Sequence, residues 1–246
     1  MADNWKAYLC TVNFKLASIR VNLRLRDDKS LSKKWLLWIW LYFQSPRADG
    51  LSDRNEAPKL WEIEDALVPK LSDTCGALLC GAITTEGRRE FYFYADSALE
   101  FEKSVAEILR QFSPYKYDYN SQEDPSWDQY LNVLYPSPEQ LERIGNQELL
   151  DHLLTQGDNP LIEREIRHWM YFPSAELRHA FKQALDSPFE VDHEYDEDNG
   201  NPFALVIKRI QSLQQPQIDD TVIELFRLAE KFQGNYTGWE TPVTSE

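Results

Sequence analysis

Residues 35–43 read WLLWIWLYF, nine apolar or aromatic side chains in succession without a charge. A run that is apolar on both alternating sides is typical of a strand in the middle of a sheet that is covered on both faces. A helix needs about 20 such residues to span a bilayer, so this run is too short for that role. We therefore expect residues 35–43 to form the central strand of a first hydrophobic core.

The residues on either side of this strand predict a hairpin before it and a helix after it. Apolar and polar side chains alternate over 8–14 and over 19–26, as in two strands with one solvent-facing side. Ser52 and Asp53 then precede a helical pattern in which Glu56 stands at the capping-box position.

Turn and capping residues predict two strands, a helix and a closing strand in the rest of the first half. Glu86-Gly87 predicts a tight hairpin between strands at 77–84 and 88–95. Ser97 starts a second helix, and alternating tyrosines over 115–119 predict a closing strand. The predicted order is ββ followed by βαββαβ.

The second half repeats this order of strands and helices without a recognisable repeat of sequence. Over 164–172 the apolar residues alternate with polar or amphipathic ones, which predicts a strand with one buried side. We predict, in order, a short helix at 147–155, this strand, a helix from 174, strands at 189–195 and 203–210 joined by an acidic loop, a long helix from 216 to 234, and a last strand at 236–243.

Four prolines crowd the stretch between the two halves and interrupt its apolar rhythm: Pro114, Pro125, Pro136 and Pro138. We place a domain boundary there, with domains at 1–137 and 138–246. The expected fold class is α+β, with two tandem ferredoxin-like βαββαβ sandwiches, the first of which carries an extra N-terminal β-hairpin.

The charge of the chain indicates what kind of partner it can bind. The formal net charge is −15, and the sequence pI is about 4.7. Residues 1–137 hold 17 basic and 20 acidic side chains, for a net charge of −3, whereas 138–246 hold 9 and 21, for a net charge of −12. Like charge opposes direct binding to nucleic acid or anionic membranes, so we expect a basic protein partner.

Three cysteines and the N-terminus predict a cytoplasmic location. Cys10, Cys75 and Cys80 are odd in number and lie in apolar runs, which favours buried, reduced thiols. The first residues lack the charged and apolar tract of a signal peptide. We expect neither secretion nor membrane insertion.

No constellation of side chains predicts catalysis, a metal or a cofactor. The acidic residues from Glu194 resemble the start of a calcium loop, but the positions for its glycine and its bidentate glutamate hold Asn199 and Leu205. Two Glu-x-x-His pairs occur, and the first, Glu165 with His168, lies on a predicted strand where residues three apart face opposite sides. Because hydrolase-elbow and nucleotide-loop motifs are also missing, we predict a protein that is not an enzyme.

Several stretches of the chain resemble known families. LLDHLLTQGDNP, IRHWMYFPSAELRHAF and LAEKFQGNYTGWETPV, within about 147–243, resemble the RraB family of ribonuclease E inhibitors. The spacing of Gly234, Tyr236, Gly238 and Trp239 carries most of this likeness, although Thr237 stands where the family has Asp. DGLSDRNEAPKLWEIEDAL, GAITTEGRREFYFYA and DPSWDQYLNVLYP, within about 3–136, resemble an uncharacterised bacterial domain often fused ahead of RraB-like domains.

The resemblance to RraB implies a small α+β domain that binds ribonuclease E and modulates RNA degradation without catalysing a reaction. An acidic domain is suited to a basic, RNA-binding surface of such a partner. We predict a protein-binding site formed by Asp192, Glu194, Asp196, Glu197, Asp198, Tyr236 and Trp239.

Two interpretations of Tyr236 and Trp239 stay open at this point. They fill the end of the core, or they form an exposed aromatic hot spot beside the acidic loop. The exposure of Trp239 separates the two interpretations.

A competing function is also considered: a small-molecule-binding or hydrolytic site in the first domain or at the domain interface. Arg88 and Arg89, with Glu90, are interpreted as a solvated hairpin end, with an anion site as the alternative.

Overall fold

The computed structural model describes residues 3–28, 32–186, 188–196 and 203–245. Two compact units, Met1–Pro136 and Ser137–Glu246, each contain one antiparallel sheet with helices against it. The α+β class is thus confirmed, with one sheet of six strands and one of four. None of the helices among the described residues has the length and apolar character needed to cross a bilayer.

The first unit is built on a six-stranded sheet. Its strands and α-helices are β1 (Trp5–Val12), β2 (Lys15–Asn22), β3 (Trp35–Tyr42), α1 (Glu56–Cys75), β4 (Leu78–Thr85), β5 (Arg88–Ala95), α2 (Phe101–Leu109) and β6 (Lys116–Glu123). The strand order is β1-β2-β4-β5-β3-β6, so β3 lies between β5 and β6. On one face of the sheet, α1 and α2 cover Leu37, Ile39 and Leu41 of β3.

The other face of β3 is only partly covered, which corrects the expectation of burial on both sides. A segment over 124–136 lies on this face, where Trp127 stacks on Tyr94 with ring centroids 4.0 Å apart. The Tyr130 hydroxyl in the same segment donates to the Asn22 carbonyl at 2.8 Å. These contacts cover β2, β4 and β5 but leave Trp38 and Trp40 of β3 half-buried.

The predicted hairpin of this unit is confirmed, whereas its predicted capping box forms only in part. Glu86 and Gly87 join β4 to β5 with φ angles of 47° and 76°, as a tight hairpin of this kind requires. Only half of the expected capping box forms: Asp53 Oδ1 accepts the Glu56 N–H at 2.7 Å. The Glu56 carboxylate accepts the N–H groups of Gln44 and Ser45 instead, and so ties the start of α1 to the end of β3.

The second unit is built on a four-stranded sheet. Its elements are α3 (Pro138–Thr155), β7 (Arg164–Phe172), α4 (Ala175–Ala184), β8 (Glu190–Asp196), β9 (Phe203–Gln211), α5 (Gln215–Lys231) and β10 (Asn235–Glu240). The strand order is β10-β7-β9-β8. The alternation predicted for β7 is confirmed, since Ile166, His168, Met170 and Phe172 are all fully buried.

Helix α3 is longer than predicted and begins among the prolines. Ser137 accepts the Gln140 N–H at 3.3 Å, and the Gln140 side chain accepts the Ser137 N–H at 2.8 Å, which completes a capping box. Pro138 stands at the first helical position, where a missing N–H has no consequence. Pro138, which is expected to interrupt the chain, therefore starts the helix.

Candidate protein-binding face

Tyr236 and Trp239 are part of the core of the second unit. They are 4% and 9% exposed, and they pack with residues of β7, β9 and α5. The Tyr236 hydroxyl lies 2.9 Å from His168 Nδ1, and Trp239 Nε1 donates to Asn146 Oδ1 at 2.8 Å. The interpretation of these two residues as an exposed hot spot was wrong.

The two glycines of the same motif explain how both aromatic side chains reach the core. Residues three apart face opposite sides of a regular strand, but the pairing of β10 with β7 shifts register between Tyr236 and Gly238. Gly238 has a φ of 127°, a conformation that other residues rarely adopt. At Gly234 a Cβ atom would lie 2.4 Å from the Phe172 ring, so a side chain there has no room.

Three of the predicted acidic residues lie on a strand. Asp192, Glu194 and Asp196 belong to β8, whereas Glu197 and Asp198 lie outside the described residues. A register shift between Val191 and His193 turns Asp192 toward the face of the sheet that is away from the helices. Glu194 and Asp196 instead face α4, so the three carboxylates of β8 are divided between the two faces of the sheet.

Each of these three carboxylates has a cationic partner. Asp192 lies 3.2 Å from Arg167 Nε and 3.4 Å from Lys208 Nζ. The hydrogen bond from His193, together with these cations, holds the pKa of Asp192 below its usual value. On the other side, Arg178 lies 3.1 Å from both Glu194 and Asp196. These cations therefore largely neutralise the three carboxylates.

Four aromatic rings lie together on the side of sheet β10-β7-β9-β8 that faces away from its helices. We call Trp169, Tyr171, His193 and Tyr195 the aromatic face. The His193 ring meets Trp169 edge to face at 5.6 Å and stacks on Tyr195 at 5.7 Å. The hydroxyls of Tyr171 and Tyr195 are 3.2 Å apart. These rings come from β7 and β8 and flank the buried Ala204 and Val206 of β9.

A mixed-charge cluster borders the aromatic face. Arg167 lies 2.7 Å from Glu165, and Lys208 lies 3.1 Å from the same carboxylate. Both cations also contact Asp192, and Glu240 of β10 stands 4.0 Å from Arg167. Glu165 is the main reason that the pKa of Lys208 is raised. Charges of both signs next to half-exposed rings are typical of the rim and centre of a protein interface.

Among the described residues, no group of three or more His, Cys, Asp or Glu side chains is placed to hold a metal ion. The Glu165 and His168 pair is separated as expected, because His168 is buried while Glu165 is on the outer side of β7.

Sequence reasoning missed the aromatic face, although half of its signal was present. In IRHWMYF the alternate residues Trp169 and Tyr171 fall on the solvent side of the strand, where large rings are unusual. His193 and Tyr195 could not be added from the sequence, because the register shift in β8 decides which of its residues point to that side.

Because His168 is buried, we expect the free energy of unfolding to fall in acid. Burial, with a smaller contribution from Arg209, lowers the pKa of His168 from 6.5 to about 3. The unfolded chain therefore binds a proton between these values that the folded chain does not, so stability falls as pH falls through this window, by at most about 1.4 kcal/mol per pH unit.

The matching experiment compares the free energy of unfolding at about pH 7 and about pH 4 for the wild type and His168→Gln. We expect the wild type to lose more stability than the variant, because Gln cannot titrate. Equal losses would show that His168 is protonated without opening the core.

Comparison with known proteins gives two family matches. Residues 3–135 match the model of a family of unknown function, DUF695, and residues 143–241 match the model described as Regulator of ribonuclease activity B. Both resemblances drawn from the sequence are thereby confirmed.

Other comparisons add little. No curated protein matches the chain. A solved structure, described as the crystal structure of an unknown protein from Galdieria sulphuraria, is 10% identical over 86% of this chain and 99% of that chain, with a TM-score of 0.23. Because the first family model spans more than half of the residues, the chain belongs to the DUF695 family, and a Regulator of ribonuclease activity B region follows its DUF695 region.

Proposed function

We propose that this protein is a non-catalytic regulator that binds a ribonuclease of the E type through its second unit and modulates RNA degradation. The observation that carries the proposal is the aromatic face with its mixed-charge border, within the region that matches Regulator of ribonuclease activity B. Aromatic rings with Arg beside them are the side chains that most often dominate the binding energy of protein interfaces.

Charge supports a basic partner. Residues 138–246 carry a net charge of −12, while the acids of β8 and their cations largely cancel. Part of the excess therefore lies elsewhere, and α5 exposes Asp220, Glu224 and Glu230. Such a field attracts the basic RNA-binding surface of a nuclease over a distance and repels RNA, which competes for that surface.

The fold within this proposal is the ferredoxin-like sandwich, one in each of two domains. Across its sheet the first set runs β4-β5-β3-β6, which is the order 2-3-1-4 when its strands are numbered along the chain. The second set runs β10-β7-β9-β8, which is the order 4-1-3-2. These are the same arrangement read from opposite edges, with the expected helix after the first and third strand of each set. The hairpin of β1 and β2 extends the first sheet beyond β4.

The proposed location is the cytoplasm. Cys10, Cys75 and Cys80 are all free thiols, and Cys75 and Cys80 are buried. Burial also raises the pKa of the Cys10 thiol, which lowers its reactivity. Reduced, unreactive cysteines suit a compartment that keeps thiols reduced.

Trp169→Ala tests the aromatic face directly. We expect this change to weaken binding of the full-length protein to purified ribonuclease E by about tenfold or more, because it removes the largest ring of the face. Leu154→Ala, which truncates an exposed apolar side chain on α3, is the matched control and should bind as the wild type does.

Binding is measured by calorimetry at two salt concentrations. Failure of the wild type to bind at low salt would remove ribonuclease E as the partner. Tight binding of Trp169→Ala would keep the partner and move the interface to another surface, such as the acidic side of α5.

A further inference from the structure

The first unit contains a groove on the face of its sheet that the helices leave open. Its volume is about 570 Å³, and it lies over β3, β5 and β6 beside the segment over 124–136. Buried Leu36 and Tyr92 line it together with half-buried Trp38 and Trp40. We propose that this groove binds a neutral saccharide, a function that is separate from the partner binding of the second unit.

Two parallel rows of side chains give the groove its chemistry. Trp38 and Trp40 point to the same side of β3, about 7 Å apart along the strand. The antiparallel pairing of β3 with β6 puts Asn120 opposite Trp38 and Asp118 opposite Trp40. Each indole therefore has a planar hydrogen-bonding group directly beside it, at the distance of a cross-strand pair.

The polar row is exposed and has hydrogen-bonding capacity to spare. Asp118 Oδ2 accepts the Tyr42 hydroxyl at 2.7 Å, which orients the carboxylate and leaves Oδ1 for another donor. Asn120 Oδ1 accepts the Ser121 N–H at 2.8 Å, and its Nδ2 group is left to donate. Gln122, opposite Leu36, adds a second amide to the row.

A sugar ring matches both rows at once. Its C–H face is apolar and packs on an indole, while its hydroxyls, each a donor and an acceptor, meet carboxylate and amide groups at the edge. An open groove with an aromatic floor and a few placed polar groups is the usual form of a small-ligand site.

Charge argues against a phosphate-bearing ligand such as RNA in the same groove. Arg88, whose guanidinium stacks on Trp40 at 4.7 Å, donates to Glu90 at 2.6 Å and contacts Glu86 at 3.4 Å. With Arg88 engaged by two carboxylates and Asp118 at the rim, the groove favours an uncharged ligand.

The test titrates the full-length protein with three neutral probes, maltohexaose, cellohexaose and chitohexaose, and with the RNA probes hexauridylate and hexaadenylate. Calorimetry reports affinity, and tryptophan fluorescence reports contact with the indoles. We expect saturable binding of at least one saccharide and no binding of either RNA.

Variants then locate the site. Trp38→Ala should weaken saccharide binding by about tenfold or more, and Asn120→Ala, an exposed change that leaves the core intact, should also weaken it. Trp61→Ala removes an equally large ring from α1 on the other face and should bind as the wild type does.

Three results would overturn the proposal: no saccharide binds, the affinity is unchanged in both groove variants, or RNA binds in place of the saccharides. Trp169→Ala should leave saccharide binding unchanged, so the two functions fail separately.

Discussion

Trp239→Ala should lower the stability of the second unit by about 3–5 kcal/mol, as expected for removal of a large buried ring. The ring packs in the core of this unit, and its Nε1 group satisfies Asn146, which in turn donates to Asp219 Oδ1 at 2.8 Å. Truncation therefore leaves a cavity and also an unpaired amide oxygen in a buried network.

Hydrogen exchange of the intact protein measures this effect locally. Amides of β7 and β10 should exchange much faster in Trp239→Ala, because opening of the second unit becomes more frequent. Trp239→Phe keeps a six-membered ring in the core but loses the pyrrole part of the indole with its N–H donor, so we expect a smaller loss of about 1–3 kcal/mol. If the β7 and β10 amides of Trp239→Ala exchanged as slowly as in the wild type while ribonuclease binding was lost, Trp239 would be an interface residue and not a core residue.

Asp158→Ala should destabilise the second unit by a similar amount, about 3–5 kcal/mol, because it strands a buried charge. Asp158 and Arg164 form an ion pair in which both side chains are almost fully buried. Arg164 also donates to the Ile162 carbonyl at 3.1 Å, and Asp158 accepts the Thr244 N–H at 2.7 Å. The pair thus joins the loop before β7 to the residues after β10.

A double variant separates the charge effect from lost packing. Asp158→Leu with Arg164→Met removes both charges, so it should be less destabilised than Asp158→Ala alone. The free energy of unfolding of the second unit is measured for each variant by hydrogen exchange of the β7 amides during chemical denaturation. If the double variant were less stable than Asp158→Ala, the ion pair itself would stabilise the fold, beyond keeping Arg164 from being buried without a partner.

Much of the fold could be predicted because its signals are local. The run at 35–43, the alternation over 164–172 and the Glu86-Gly87 turn each depend on neighbours in the sequence. The start of α3 could not be predicted from Pro138 alone, because proline both ends helices and begins them. The reciprocal hydrogen bonds of Ser137 and Gln140 are what start the helix there.

The candidate site was harder to predict because it depends on strand register. An extra residue in β8 and another in β10 reverse which side chains face the core, so Asp192 separates from Glu194, and Tyr236 joins Trp239. The groove of the first unit depends on which strands the 124–136 segment covers. Neither fact is present in the spacing of residues along the chain.

The irregular β8 has a further consequence for the behaviour of the protein at high concentration. This strand forms one margin of its sheet, and an outermost strand is where a second molecule adds backbone pairing and starts an aggregate. Its displaced register opposes such growth, and so do the charged side chains along it, which include Glu190 and, with their cationic partners, Asp192, Glu194 and Asp196. The acidic strand therefore helps to keep separate molecules from polymerising through this margin.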